Sequence, residues 1–153
     1  MRIALYQPDI AGNVGTLLRL GACLGVAVDL IEPMGFAWSE RAWARAAMDY
    51  AGKVAVTRHV DWAAFLAASS GRIVLATTAA DAVPLPQARF AHDDILLLGS
   101  EGAGVPLAAH ARADMAVRIP MRAGLRSLNV AVAGAIVLGE ALRQTGGWDE
   151  LTD

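Results

Sequence analysis

Short apolar runs recur along the whole chain, each closed by Pro, Gly or a charged turn and followed by a stretch of helical periodicity. That alternation constrains the fold more than any other feature. Arg2 to Tyr6 reads as a first buried strand stopped by Gln7-Pro8, and Val14, Leu17, Leu18 and Gly21 then follow the i, i+3, i+4, i+7 spacing of a helix face. Asn13 is placed as that helix's N-cap and Gly25 as its stop. Further strands are expected at Val26 to Ile31, Val54 to Thr57, Arg72 to Ala76, Asp94 to Leu98 and Met115 to Ile119. Helices are expected from Ser39-Glu40 to about Met48, from Trp62 to Ser69 behind an Asp61 cap, and from Pro106 to Ala111, while Val83-Pro84-Leu85-Pro86 reads as a connection. Strands alternating with helices predict an α/β fold, a mostly parallel sheet flanked by helices, over a single domain spanning residues 1–153.

The apolar fraction of 56% suits strands buried on both faces. No run approaches the roughly 18 to 20 apolar residues of a membrane span. The longest, Val130 to Gly139, is closed by Asn129 and Glu140, and the N-terminus lacks the apolar core and cleavage site of a signal peptide, so no membrane partner and a cytoplasmic location are expected. Cys23 is the only cysteine, which excludes an internal disulfide, and with His59, His92 and His110 scattered singly no metal is expected. A net charge of −2 means that any polyanion must be held by a local patch. Twelve of the thirteen basic residues are Arg, which suits phosphate recognition and equally suits a GC-rich genome. Arg41 and Arg45, with Trp38, Trp43 and Tyr50 nearby, read either as a solvated helix face or as a surface for unpaired RNA bases.

Two stretches carry chemistry. From Arg118 to Asn129, three Arg (Arg118, Arg122, Arg126), a Gly, Ser127 and Asn129 crowd the carboxyl end of a strand, where open α/β sheets bind ligands. Ser127 and Asn129 also read simply as supplying the first turn of the helix that follows. Gly99-Ser100-Glu101-Gly102-Ala103-Gly104 lacks the Lys-Ser/Thr of a P-loop and the spacing of a dinucleotide loop. Its carboxylate would repel pyrophosphate, so a phosphate-free adenosine ligand with a cationic sulfonium, S-adenosyl-L-methionine, suits it better. A plain strand-to-helix turn explains the same glycines. Arg19 is the only charged residue between Asp9 and Asp29, and it either snorkels to solvent or points at a ligand beside the sheet.

The ordered set N-V-G-T-L-L-R, E-P-M-G-F-A-W, A-V-T-R-H, L-G-S-E-G-A-G-V-P, R-I-P-M, R-S-L-N and E-A-L-R-Q resembles the SPOUT superfamily of RNA methyltransferases along nearly the whole chain. Within it, the sequence is most similar to the family that methylates the ribose 2′-hydroxyl at the tRNA wobble position. The resemblance implies a SpoU-type fold with a deep C-terminal trefoil knot, which periodicity could not suggest. It also implies S-adenosyl-L-methionine as cofactor, tRNA as partner (cytidine or modified uridine at position 34, leucine tRNAs foremost) and a homodimer.

Carried over residue by residue, the cofactor would meet Ala76, Thr77, Gly99, Glu101, Gly104, Ile119, Met121, Ser127 and Leu128, while Arg19, Ser127 and Asn129 would act on the nucleotide. Thr16, Ala103 and Gly139 depart from the family's frequent Asn, Arg and Tyr. A guanidinium does not readily lose a proton, so Arg19 is expected to clamp a phosphate and stabilise the developing alkoxide rather than act as the base. The alternatives are a SPOUT-like cofactor- or RNA-binding protein without turnover, a methyltransferase acting elsewhere on RNA, and an unknotted domain binding another nucleotide. Independently of the family, Val130 to Gly139 is apolar all round, and small residues at 131, 133, 134, 135 and 139 would let a second copy's helix approach.

Overall fold

A computed structural model describes residues 1–38 and 52–151. The helix expected from Ser39-Glu40 to Met48, with Arg41, Trp43, Arg45 and the neighbouring Tyr50, lies outside the described residues. The strands are β1 (Arg2–Tyr6), β2 (Ala27–Ile31), β3 (Val56–His59), β4 (Ile73–Ala76), β5 (Val83–Pro84), β6 (Ile95–Leu98) and β7 (Met115–Arg118). The described helices are α1 (Ala11–Cys23), α2 (Trp62–Ala68), α3 (Leu107–Arg112) and α4 (Val130–Thr145). The strands form one seven-stranded sheet in the order β3-β2-β1-β6-β4-β7-β5, every pair parallel.

Burial on both faces explains why the strands are apolar without alternation. Ile3, Leu5, Val28, Leu30, Val74, Leu96 and Leu98 pack on one face under α1 and α4. Ala4, Tyr6, Ile31, Ile73, Leu75, Ile95 and Leu97 pack on the other, against Phe65 of α2 and Ala109 of α3. The connection leaving β1 therefore passes over one face and that leaving β6 over the other, although the two strands are neighbours. Such a switch opens a crevice at the carboxyl ends of the strands.

Local departures from expectation have identifiable causes. The third strand runs from Val56 to His59, later than expected, because His59 is buried opposite Ile31 with its Nε2 2.8 Å from Asp29 Oδ1. Asp29 also takes two hydrogen bonds from Arg2, at 2.7 and 2.8 Å, so its buried charge is paired. Val83–Pro84, expected as a connection, is a two-residue strand at the outer edge of the sheet, where a residue with no backbone N–H to donate is tolerated. Helix α1 begins at Ala11, so Asn13 is inside its first turn and is not the cap. Gly25, at φ 65°, follows its end as expected.

Helix α4 is capped by Asn129 and ends at Gly146, φ 71°. Its small residues serve its own chain first. A Cβ on Gly134 would lie 2.7 Å from Leu98 Cδ1 and 3.0 Å from Leu17 Cδ2, and Gly139 lies under Trp148, whose indole N–H donates to its carbonyl at 3.3 Å. Val132 and Ile136, 48% and 41% exposed, remain on the outer face.

Gly21 marks the closest approach of α1 to the sheet, since a Cβ there would lie 2.5 Å from the Val26 carbonyl oxygen, whereas a Cβ on Gly12 would meet nothing within 4 Å. Gly21→Ala is therefore expected to lower the unfolding free energy by about 1 to 3 kcal/mol. Gly12→Ala should leave it unchanged or raise it by up to about 1 kcal/mol. Urea denaturation of the two variants checks the contrast.

Candidate functional site

Strand ends bring four connections together: the turns after β1 and β4, the glycine loop after β6, and the segment between β7 and α4. They enclose a cleft of about 720 Å³ whose walls include Ala76, Thr77, Gly99, Glu101, Gly104, Ile119, Met121, Ser127, Leu128 and Asn129. That volume falls in the ordinary range for a small-molecule site. Leu75, Leu98 and Val117 supply its apolar floor.

The glycine loop has two separate needs for glycine. Ser100 and Gly104 exchange backbone hydrogen bonds at 3.0 and 2.9 Å, which folds the loop back on itself. Gly99 then lies so close to Gly104 that a Cβ would be 2.6 Å from its carbonyl carbon, and Gly104 itself sits at φ 68°. The first need is room and the second is backbone conformation.

Glu101 does not face the cleft as an unpaired charge. Its Oε2 accepts from the Asp9 backbone N–H at 2.8 Å and its Oε1 from Asn13 Nδ2 at 2.7 Å. Asn13 Oδ1 in turn accepts from Asn129 Nδ2 at 2.9 Å, and Asn129 Oδ1 accepts from the N–H groups of Ala131 and Val132 at 2.9 and 3.3 Å. Ser127 takes no part in the helix cap and lies exposed on the wall of the cleft. Of the crowded arginines, Arg118 is used internally, its Nε donating to the Ala82 carbonyl at 3.1 Å, while Arg126 lines the cleft.

Arg19 is not among the lining residues. It is exposed on α1, six residues beyond Asn13, and thus points about 120° away around the helix. Sequence reasoning passed over Asp9, whose Oδ2 accepts from the Gly102 N–H at 3.0 Å, and His110, which lines the cleft from α3. An acidic residue straight after Gln7-Pro8 was the available signal for the first; a single His on a short helix gave none for the second. Among the described residues, no cluster of His, Cys, Asp and Glu could hold a metal ion, and no helix is long and apolar enough to cross a membrane.

The profile of the SpoU rRNA methylase family matches residues 1–139. The chain belongs to the SpoU methylase family. A tRNA (cytidine(34)-2′-O)-methyltransferase of Beijerinckia indica is 54% identical over 99% of this chain and 96% of its own. A solved structure described as giving insights into the 2-OH methylation of C/U34 on tRNA superposes with a TM-score of 0.87 at 39% identity, over 94% of both chains. An AdoMet-bound rRNA methyltransferase from Sinorhizobium meliloti matches with a TM-score of 0.82 at 27% identity, over 93% of this chain and 55% of its own. The SpoU-type α/β sheet expected from the motifs is thus the fold this family member has.

Asn129→Ala removes the acceptor of two helix N–H groups and is expected to lower stability by about 1 kcal/mol. Ser127→Ala, at an exposed position outside the cap, should stay within about 0.5 kcal/mol of the parent. Urea midpoints at constant m-value separate the two.

Proposed function

We propose that this SpoU family member transfers a methyl group from S-adenosyl-L-methionine to the ribose 2′-hydroxyl of nucleotide 34 of tRNA, cytidine or modified uridine, in the cytoplasm. The observation that carries the reading is the convergence of the glycine loop, Ile119, Met121 and the Ser127–Asn129 segment on one cleft, in a chain alike from end to end to a relative named for that reaction. The cleft fits the cofactor. It joins an apolar floor of Leu75, Leu98 and Val117 to the glycine loop on its wall, and it offers no Lys for a polyphosphate.

When bound, the cofactor supplies an electrophilic methyl on a sulfonium, which leaves as a neutral thioether once the ribose oxygen has attacked. The chain's own contribution is placement, worth roughly 7 to 11 kcal/mol when two reactants are held in line. Ala76, Thr77 and the glycine loop hold the adenosine part; Ser127 and Asn129 orient the ribose. Arg19 clamps the neighbouring phosphate and stabilises the alkoxide, with the proton passing to that phosphate or to water.

Because Arg19 lies off its own cleft wall, it serves the cleft of a second copy. The exposed Val132 and Ile136 on α4 support a homodimer built on this helix and α1, which pack together in the chain. The same reading takes the end of the chain through the family's trefoil knot. Its support is the path: β7 lies outside β4, yet α4 returns over β4 and β6 to reach α1.

Saturating S-adenosyl-L-methionine is expected to stabilise the protein, by about 2.7 kcal/mol at a hundred times its Kd. A folded sample whose melting temperature does not move removes the cofactor assignment. Mass mapping of ribose methylation in tRNA incubated with protein and cofactor then tests position 34, and cofactor binding without methylation leaves the binding-only alternative.

Arg19→Ala should lose about 100-fold or more in methyl transfer with little change in cofactor affinity. Mixed with Asn129→Ala, it should regain part of the activity in heterodimers. An active monomer by light scattering at micromolar concentration would rule out the shared site.

A further inference from the structure

The turn after β1 is more tightly determined than a connection needs to be. Gln7 adopts φ 45°, unusual for a residue with a side chain, while its N–H donates to the Ile31 carbonyl at 2.9 Å. Pro8, which is buried, then accepts from the Gly35 N–H at 3.0 Å. This places Asp9 between two other loops. On one side it makes a reciprocal pair with the glycine loop: its N–H donates to Glu101 Oε2 at 2.8 Å and its Oδ2 accepts from the Gly102 N–H at 3.0 Å. On the other side Gly35 is pressed against it, so close that a Cβ would lie 2.9 Å from Asp9 Cα and 3.0 Å from Asp9 Oδ1. Gly35 is not at a left-handed φ, so its lack of a side chain answers to this contact and not to the turn.

We propose that Asp9 is a positioning residue: it holds the glycine loop in the shape that receives the cofactor, and it transmits to that loop any displacement of the turn around Gly35. The inference rests on the cofactor reading above. The physical case is that Gly102 is exposed and its N–H, without Asp9, has only water to hold it. A carboxylate acceptor is stronger than water and fixed in direction. The Glu101 end of the pair cannot substitute, because it is held by the Asp9 main chain and leaves Gly102 untouched. A side chain at position 35 would push on Asp9 at its Cα and so move both ends of the pair together.

Calorimetric titration with S-adenosylhomocysteine tests the assignment. Asp9→Ala should bind about tenfold or more weakly than the parent. Asp9→Asn, which keeps an acceptor oxygen, should recover most of the affinity. Gly35→Ala should weaken binding in the same direction; its Cβ meets the Asp9 main chain as well as Oδ1, so the double variant Asp9→Ala/Gly35→Ala should lose more than Asp9→Ala alone but less than the sum of the two. In turnover the KM for S-adenosyl-L-methionine should rise by the same factor, with kcat at saturation within about twofold.

Parent-like affinity in Asp9→Ala, an Asn variant as weak as the Ala variant, or additive effects of the two sites would each overturn the inference while leaving the cofactor reading intact. Absence of binding by the parent would take down both. If Asp9→Ala does not fold, Gly35→Ala decides alone, unchanged affinity being the contrary result.

Discussion

The cleft depends on a hydrogen-bond chain whose direction is forced at every link. Helix N–H groups can only donate, so the Asn129 side chain must turn its oxygen to Ala131 and Val132 and its amide nitrogen to Asn13. Asn13 must then present oxygen to Asn129 and nitrogen to Glu101, and the carboxylate, an acceptor only, ends the chain. Reversing any member would set two donors or two acceptors against each other. The consequence is a rigid tie from the start of α4, through the first turn of α1, to the glycine loop, across elements more than a hundred residues apart in sequence.

The rest of the fold supplies the frame on which that tie can be precise. The central strands β1, β4 and β6 are buried on both faces, and the charged groups buried at the sheet are paired. Asp94 is fully buried, and it accepts from Arg72 Nε and Nη2, both at 2.8 Å, and from the Ala91 N–H at 2.8 Å. That hydrogen-bonded carboxylate raises the Arg72 pKa above its ordinary value. It also fixes the starts of β4 and β6. With the amino ends anchored in this way, the larger cleft opens at the carboxyl ends, where β1 and β6 send their connections to opposite faces.

Much of this was legible in the residues for a physical reason. Strands buried on both faces appear as unbroken apolar runs, so β1, β2, β4, β6 and β7 stood out. A side chain that acts at a helix terminus is adjacent in sequence to the helix it caps, so Asn129 and Asp61 could be read locally. What was not legible depends on partners distant in sequence. The register of β3 follows from a buried His59–Asp29 contact, Asn13 was misread as a cap because its true partner Glu101 is 88 residues away, and Asp9 shows its use only beside Gly102. Pro84 in an edge strand was missed because the rule excluding proline from sheets applies to central strands. The motifs brought the cleft residues to attention through family resemblance, whereas periodicity alone offered the crowded 118–129 segment and two readings of it.

The same hydrogen bonds limit what Asn129 can do for a substrate. Both acceptor directions of its oxygen are taken by α4, and one of its two amide hydrogens is taken by Asn13, which leaves a single N–H for a ligand in the cleft. Ser127, outside the cap and exposed, keeps a hydroxyl that can rotate to donate or accept. Arg126 adds a charge on the same wall. On this wall one copy of the chain offers the remaining Asn129 N–H, the Ser127 hydroxyl and the Arg126 guanidinium, while Arg19 is not among the residues that line its own cleft. A second copy facing the exposed stripe of Val132 and Ile136 would present its own α1 from outside. The dimer proposed above would bring a further guanidinium to each cleft, and with it local positive charge that a chain of net charge −2 lacks overall.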